Sequence, residues 1–379
     1  MSASPGPLMT AAQTSYASVM TIPTKTLAVR LFEYGGPEKL VYGEYDLPPL
    51  GARDVLVKNH AGSVSRWDVK YRAGDLARYQ IPGRAAFPLP QQLGREAAGE
   101  VVAVGSAVTR FKPGDRVIGV THPEDPDSVE TARGLGNLSR NLAIPGHQAM
   151  GSYAQYLVRD HGMWLPLPDG VDDEQAGVAL WPFSSSHRVV SDRLRVKLGD
   201  HVLIAGASGG MGQATLQLAK LAGARVIATT RHEGKAAVLR ELGADAVVVT
   251  ADEDQAFKDV SRLTGGEGVD HAVDYTGNPD LLRFIGSVMR LGGTLVVTSE
   301  QGRDPLPFRA ADLIRLELNL IGLRGARMND MQSVLKLLGE GRIRTRIVAR
   351  FPLEQVGEAH TLLETSPDLV GRIVVLPWG

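Results

Sequence analysis

The sequence predicts an α/β chain in two domains, a doubly wound parallel sheet joined to a β-rich unit. Its 379 residues exceed the roughly 100–200 that one domain usually holds, so two units are expected. Downstream of Asp200, short apolar runs alternate with stretches of helical spacing, as in parallel strands joined by crossover helices. Upstream of it, β-branched runs are punctuated by Gly and Pro and lack helical periodicity.

Taken in order, residues 1–24 are rich in Ser, Ala, Thr and Pro without periodicity and read as a flexible leader. Residues 25–41 and 54–59 read as strands, with turns at Tyr34-Gly35-Gly36-Pro37 and Pro48-Pro49-Leu50-Gly51. Further strands follow at 97–104 and 116–120, the second entered through the turn Lys112-Pro113-Gly114-Asp115. The polar stretch 121–150 reads as a long surface loop. Beyond Asp200, apolar runs at 201–205, 225–229, 246–250, 269–274, 294–298 and 318–323 supply six strands, with helices at 213–222, 235–242 and 280–289. A helix at 331–338 and a strand at 372–376 are expected to return to the first unit.

Composition narrows the function classes. Lys plus Arg (41) nearly cancels Asp plus Glu (42), leaving no broad positive field for nucleic acid or anionic lipid, so the expected partner is a small molecule. No apolar run reaches the roughly 18 residues of a membrane span, and the start lacks a signal peptide's positive charge. A cytoplasmic location is the resulting expectation. Cysteine is absent, which removes disulfides, thiolate catalysis and thiolate-bound metals.

The run Gly206-Ala207-Ser208-Gly209-Gly210-Met211-Gly212 follows the strand at 201–205 and opens a helix. A dinucleotide pyrophosphate needs bare backbone at a tight turn and a helix N-terminus aimed at it, and both needs select glycine. An ordinary strand-to-helix turn needs one glycine, whereas four stand here. Gly206, Ser208, Gly209, Gly210, Met211 and Gly212 are therefore the expected cofactor cradle. At the end of the second strand, an acid that would bind the adenosine ribose is missing, and Thr230, Arg231 and Lys235 stand there instead. Arg231 and Lys235 suit a 2′-phosphate, so NADPH is the expected cofactor; the alternative is that both cations merely face solvent.

With the loop placed, the chain resembles the medium-chain dehydrogenase/reductase superfamily over nearly its whole length after residue 25. The likeness rests on Phe111-Lys112-Pro113-Gly114-Asp115-Arg116-Val117, on Leu198-Gly199-Asp200-His201 running into the glycine loop, on Leu242-Gly243-Ala244-Asp245, and on Gly371-Arg372-Ile373-Val374-Val375. It implies a GroES-like β-rich catalytic domain at 25–180 and 326–379, a Rossmann domain at 181–325, a cleft between them, and a homodimer paired through the strand at 318–323. Zinc-dependent members carry a Cys followed by Gly-His-Glu; here Ser65 matches the Cys, and Gly94-Arg95-Glu96 matches the triplet. A guanidinium has no lone pair for a metal, so no metal site is expected. The resemblance points to the zinc-independent quinone oxidoreductase and enoyl reductase branch. There is some likeness to crotonyl-CoA reductase/carboxylases through Gly146-His147-Gln148 and Ser185-Ser186-His187-Arg188. Their carbon dioxide-binding positions read Ser65, His147-Gln148 and Arg324 here, which argues against carboxylation.

Without zinc, a hydroxyl or a cation must stabilise charge on the acceptor oxygen. Ser65 is the first candidate, the alternative being a space filler. Tyr79 and Tyr71 lie near the position of a Tyr acid in related enoyl reductases, and each has a structural alternative. Arg95 is a third candidate, to be weighed against pairing with Glu96 or Asp68. His147 and His187 are possible proton shuttles or satisfied polar groups. Trp67, Trp181 and Phe183 are candidates for an apolar pocket wall or for core. The leading expectation is NADPH-dependent reduction of an activated C=C bond or a quinone. Zinc-independent carbonyl chemistry and non-catalytic dinucleotide binding remain the alternatives.

Overall fold

The computed structural model describes residues 22–75, 87–140, 142–299 and 305–379. The six strands expected beyond Asp200 form one parallel sheet. From one edge they run Ala246–Val249, Arg225–Thr230, His201–Ala205, Val269–Asp274, Met289–Val297 and Asn319–Gly322. The strand order thus reverses beside His201–Ala205, and a crevice opens beyond the carboxyl ends of the two central strands. Apolar residues line both faces of His201–Ala205, and Val202, Leu203, Ile204 and Ala205 are fully buried, as a central parallel strand requires.

The second sheet is built on the long strand Asp54–Val64, which pairs antiparallel with Ala97–Val104, Tyr156–Asp160 and Arg372–Leu376. Arg372–Leu376 also pairs in parallel with Ile347–Pro352, so the chain end closes this sheet. Within residues 25–41 the strands are separated at the turn Tyr34-Gly35-Gly36-Pro37, as read. Lys25–Leu31 and Leu40–Asp46 form an antiparallel hairpin of their own. Stretch 121–150 is largely irregular, as read, with one turn of helix at Val129–Ala132.

Among the described residues, the two longest helices that escaped the sequence reading are Asp173–Arg188 and Glu253–Leu263. Asp173–Arg188 begins at an Asp172 cap whose side chain accepts from Gln175 N at 2.7 Å, and Asp173 and Glu174 favour its first turn. Its buried residues go all round, with no apolar stripe to reveal it, because it is the central strut of the molecule. Ala176, Ala179, Leu180 and Phe183 join Ile118, Val120 and Leu165 of the β-rich unit to Val202 and Ile204 of the parallel sheet, and to Leu216 of the helix Gly210–Leu221, in one core. Gly177 lets it approach Asp54–Val64, since a Cβ there would stand 2.7 Å from that of Ala61. The second missed helix, Glu253–Leu263, is capped by Asp252 and packs Ala256 and Val260 on the other face of the parallel sheet. The helix Met328–Gly339 places Met331, Val334, Leu335 and Leu338 in the shared core. Among the described residues no helix is long and apolar enough to cross a membrane.

Candidate active site

The glycine loop opens onto a cleft of about 1730 Å³ that runs between the two sheets. Gly206 turns the chain at φ +78°, a conformation that side chains disfavour. Gly212 permits the helix to lie against the turn, since a Cβ there would stand 2.3 Å from the Gly206 oxygen and 2.5 Å from Ala207 Cα. Gly209 differs, because a Cβ there would meet nothing closer than the Gly206 oxygen at 3.6 Å. The helix Gly210–Leu221 starts at Gly209 with no side-chain cap, so its first N–H groups remain available to a ligand. Gly206, Ser208, Gly209, Gly210, Met211, Gly212, Thr230, Arg231 and Lys235 all line the cleft.

Thr230 shapes the corner after its strand, its hydroxyl donating to His232 O and accepting from His232 N, both at 3.1 Å. Lys235 lies in the short turn Glu233–Lys235. Burial holds its ammonium below the usual range; the Arg231 and Arg66 charges act in the same direction, and Asp368 opposes them. Glu233 is exposed and does not line the cleft.

At the other end, Ser65 caps the helix Arg66–Ala73. Its hydroxyl donates to Asp68 Oδ2 at 2.5 Å and accepts from Asp68 N at 3.3 Å. Its one proton is therefore already engaged. Asp68 Oδ1 accepts from Gly94 N at 2.9 Å, which ties this cap to the Gly94-Arg95-Glu96 segment. Burial pushes the Asp68 carboxyl up, opposed by these hydrogen bonds and by the Arg95 charge.

Arg95 does not pair with Glu96 or Asp68, the arrangement that its sequence neighbours suggested. Glu96 is taken elsewhere. Its Oε1 accepts from Trp181 N at 3.0 Å, and its Oε2 from Ser63 Oγ at 2.6 Å and from Arg372 Nη2. Arg95 instead lays its guanidinium over the Trp181 ring, 4.2 Å from the centroid, and Nη2 reaches Tyr71 Oη at 3.4 Å. It is 6% exposed, it lines the cleft, and no carboxylate oxygen of the described residues lies within 4.0 Å.

Tyr71 stacks on His147 with centroids 4.7 Å apart, and both line the cleft. Trp67 and Trp181 are walls, whereas Phe183 is core and His187 is bound to Asp330 at 2.9 Å, away from the lining. Tyr79 lies outside the described residues. His122 and Arg372 line the cleft as well, though neither was an expected site residue. His122 is held by Thr121 Oγ1 at 3.1 Å from Nδ1, and burial, then the Arg95 charge, holds its imidazole well below the usual range. Arg372 crosses the glycine loop, its Cδ 2.5 Å from where a Cβ on Gly210 would stand.

The comparisons agree with this architecture. A family model described as an alcohol dehydrogenase GroES-like domain matches residues 51–169, and one described as a zinc-binding dehydrogenase matches residues 210–340. Human quinone oxidoreductase is 27% identical, covering 92% of this chain and 97% of its own. L-threonine 3-dehydrogenase of Symbiobacterium thermophilum is 31% identical, covering 88% and 93%. A solved structure of an NAD-dependent alcohol dehydrogenase superposes with a TM-score of 0.85 at 32% identity, covering 92% and 99%.

The chain belongs to the medium-chain dehydrogenase/reductase superfamily.

As a member it is an oxidoreductase with a small-molecule substrate and a nicotinamide dinucleotide cofactor. The cleft fits such a cofactor. Its loop is closed to side chains at Gly206 and Gly212 yet open above Gly209, and cations flank it at Arg372 and Lys235. A zinc ion does not fit the acceptor end. Arg95 offers a permanent positive charge where a lone pair is needed, Asp68 already accepts from Ser65 and Gly94, and Glu96 from Ser63, Trp181 and Arg372.

Proposed function

We propose that this medium-chain dehydrogenase/reductase uses NADPH, without zinc, to reduce a C=C bond conjugated to a carbonyl, or a quinone. The observation that carries this reading is Arg95, a buried guanidinium lining the cleft with no carboxylate oxygen of the described residues within 4.0 Å.

Bound NADPH supplies the hydride. Ser208, Gly209, Gly210 and Met211 would hold its pyrophosphate with backbone N–H groups, and Arg231 and Lys235 would hold the 2′-phosphate. Arg95 donates to the acceptor's carbonyl oxygen and takes up the negative charge that grows there. In a site closed to water such a preorganised donor contributes about 3–4 kcal/mol. Ser65, through Asp68 and Gly94, positions the segment bearing Arg95, and Trp67, Trp181 and Ile144 exclude water. Conjugate reduction spreads the charge into an enolate, which hydrogen-bond donors can stabilise. An isolated carbonyl concentrates it on one alkoxide oxygen, where a Lewis acid normally serves.

Titration with both cofactors should give NADPH at least a tenfold preference, since each charge-assisted phosphate contact contributes about 1.5–3 kcal/mol. The preference should collapse in the Arg231→Ala, Lys235→Ala double variant. Equal affinity in the unaltered protein would sink the assignment. Product analysis with an unsaturated ketone should find the saturated ketone, and an allylic alcohol would refute the reaction class. Full activity after chelation, with no stoichiometric zinc in the purified protein, is the expected metal result.

A further inference from the structure

The charge around Arg95 describes the acceptor more closely than its reactive bond does. A buried guanidinium ordinarily has a carboxylate partner, because an unpaired buried charge is costly. Arg95 has none within 4.0 Å among the described residues, and its one hydrogen bond to them is the long contact to Tyr71. The carboxylates that its sequence neighbours supply are occupied, Asp68 by Ser65 and Gly94 N–H, Glu96 by Ser63, Trp181 N–H and Arg372. Glu364 is the one acid among the described residues lining the cleft, and Arg72 clamps both its oxygens at 3.0 and 2.7 Å. Arg324 adds another cation to the lining. At this wall burial, then the charges of Arg95, Arg188 and Arg324, disfavours a proton on His122, with Asp330 opposing.

Geometry adds a second constraint. The Arg95 guanidinium carbon lies 4.2 Å from the Trp181 ring centroid, and beyond the Nη2 contact to Tyr71 its coplanar N–H edge has no acceptor among the described residues. That edge matches two coplanar oxygens, whereas a lone ketone oxygen engages only part of it. A carboxylate beside the reactive carbonyl supplies the second oxygen and the missing negative charge together.

Resting on the C=C reductase reading above, we propose that the acceptor is anionic, a 2-oxo-3-enoate whose keto and carboxylate oxygens are gripped together by Arg95. Hydride from the reduced dinucleotide adds to C4, the C3=C4 pair moves toward the keto oxygen as an enolate held by Arg95, and a solvent proton is taken up at C3. The carboxylate is unchanged. The products are the saturated 2-oxo acid and the oxidised dinucleotide.

The test compares 2-oxo-4-phenylbut-3-enoate with its methyl ester and with 4-phenylbut-3-en-2-one, each with NADPH, following product by chromatography. The acid should exceed the ester at least tenfold in kcat/KM, and Arg95→Gln should bring that ratio close to one, with Arg95→Lys intermediate. An ester used as well as the acid by the unaltered protein overturns the proposal while leaving C=C reduction in place. Should none of the three be reduced at C=C, the reaction class fails, and the anion site is then decided by binding alone. Tryptophan fluorescence titrated with 2-oxo-4-phenylbutanoate should saturate in the unaltered protein and not in Arg95→Gln; absence of saturable binding overturns the site. If Arg95→Gln does not fold, the acid-to-ester ratio of the unaltered protein decides.

Discussion

At the residue scale, burial has done most to set the chemistry of individual groups. His360 shows this in a purely structural role. Arg72 Nη1, which can only donate, faces His360 Nδ1 at 3.4 Å, so the ring proton sits on Nε2 and is directed at Tyr153 Oη at 3.0 Å. Burial, then the Arg72 charge, pushes the imidazole down to about 3. The native state therefore stays neutral where an unfolded His, with an ordinary value near about 6.5, takes up a proton. Between those values the unfolded state binds more protons, so this contribution is complete above about pH 6.5 and is lost as pH falls toward 3. Urea unfolding at about pH 7 and about pH 5 should show the loss, and His360→Gln should make it smaller. An unchanged pH dependence in the variant would count against the assignment. Arg95 illustrates the limit of reading residues singly. Its identity excluded a metal ligand from the sequence, but its lack of an acidic partner depends on where Asp68 and Glu96 send their oxygens.

At the element scale, the strand–loop–helix unit around Gly206 was legible because all its determinants are contiguous. A central strand must be apolar, a tight turn must admit positive φ, and a close helix must lack a side chain at its contact. The structure separates glycines that the sequence treats alike. Gly212→Ala should disrupt the protein itself, with a marked fall in Tm, because the methyl group strikes the backbone of Gly206 and Ala207. Gly209→Ala should leave Tm nearly unchanged and weaken dinucleotide binding at least tenfold, because its methyl group projects into the cleft. Thermal unfolding and cofactor titration of the two variants check this; a reversed pattern would mean that the loop is misread. The helix Asp173–Arg188 was illegible for the opposite reason. An element covered on every side by other elements has no polar face, and so has no periodicity to betray it.

At the scale of the molecule, the junction of Glu96 and Arg372 links 276 residues of sequence separation and reaches the glycine loop through Gly210. It couples the closing strand of the β-rich unit to the cofactor cradle. Burial raises the Glu96 carboxyl, and the Arg372 charge is the first of the interactions that oppose it. Glu96→Gln leaves Arg372 without its charge partner, a loss of about 3–5 kcal/mol for a broken buried pair. Both Tm and dinucleotide affinity should fall. Adding Arg372→Met should restore part of the stability and none of the affinity. Calorimetry with cofactor titration distinguishes this from a surface pair, for which neither quantity would move.

The sequence by itself determined the alternating half of the fold, the glycine cradle, the absence of thiolates and of the metal-binding His, and the superfamily. Each of these is written in adjacent residues or in residue identity, where local sterics and lone-pair chemistry suffice. Tertiary structure alone decided that Ser65 gives its proton to Asp68, that Glu96 belongs to Arg372, and that Arg95 is left facing the cleft on Trp181. Those outcomes turn on which buried charges find each other across the fold. Pairing depends on distances of a few ångströms between segments far apart in the chain, and no local pattern encodes them.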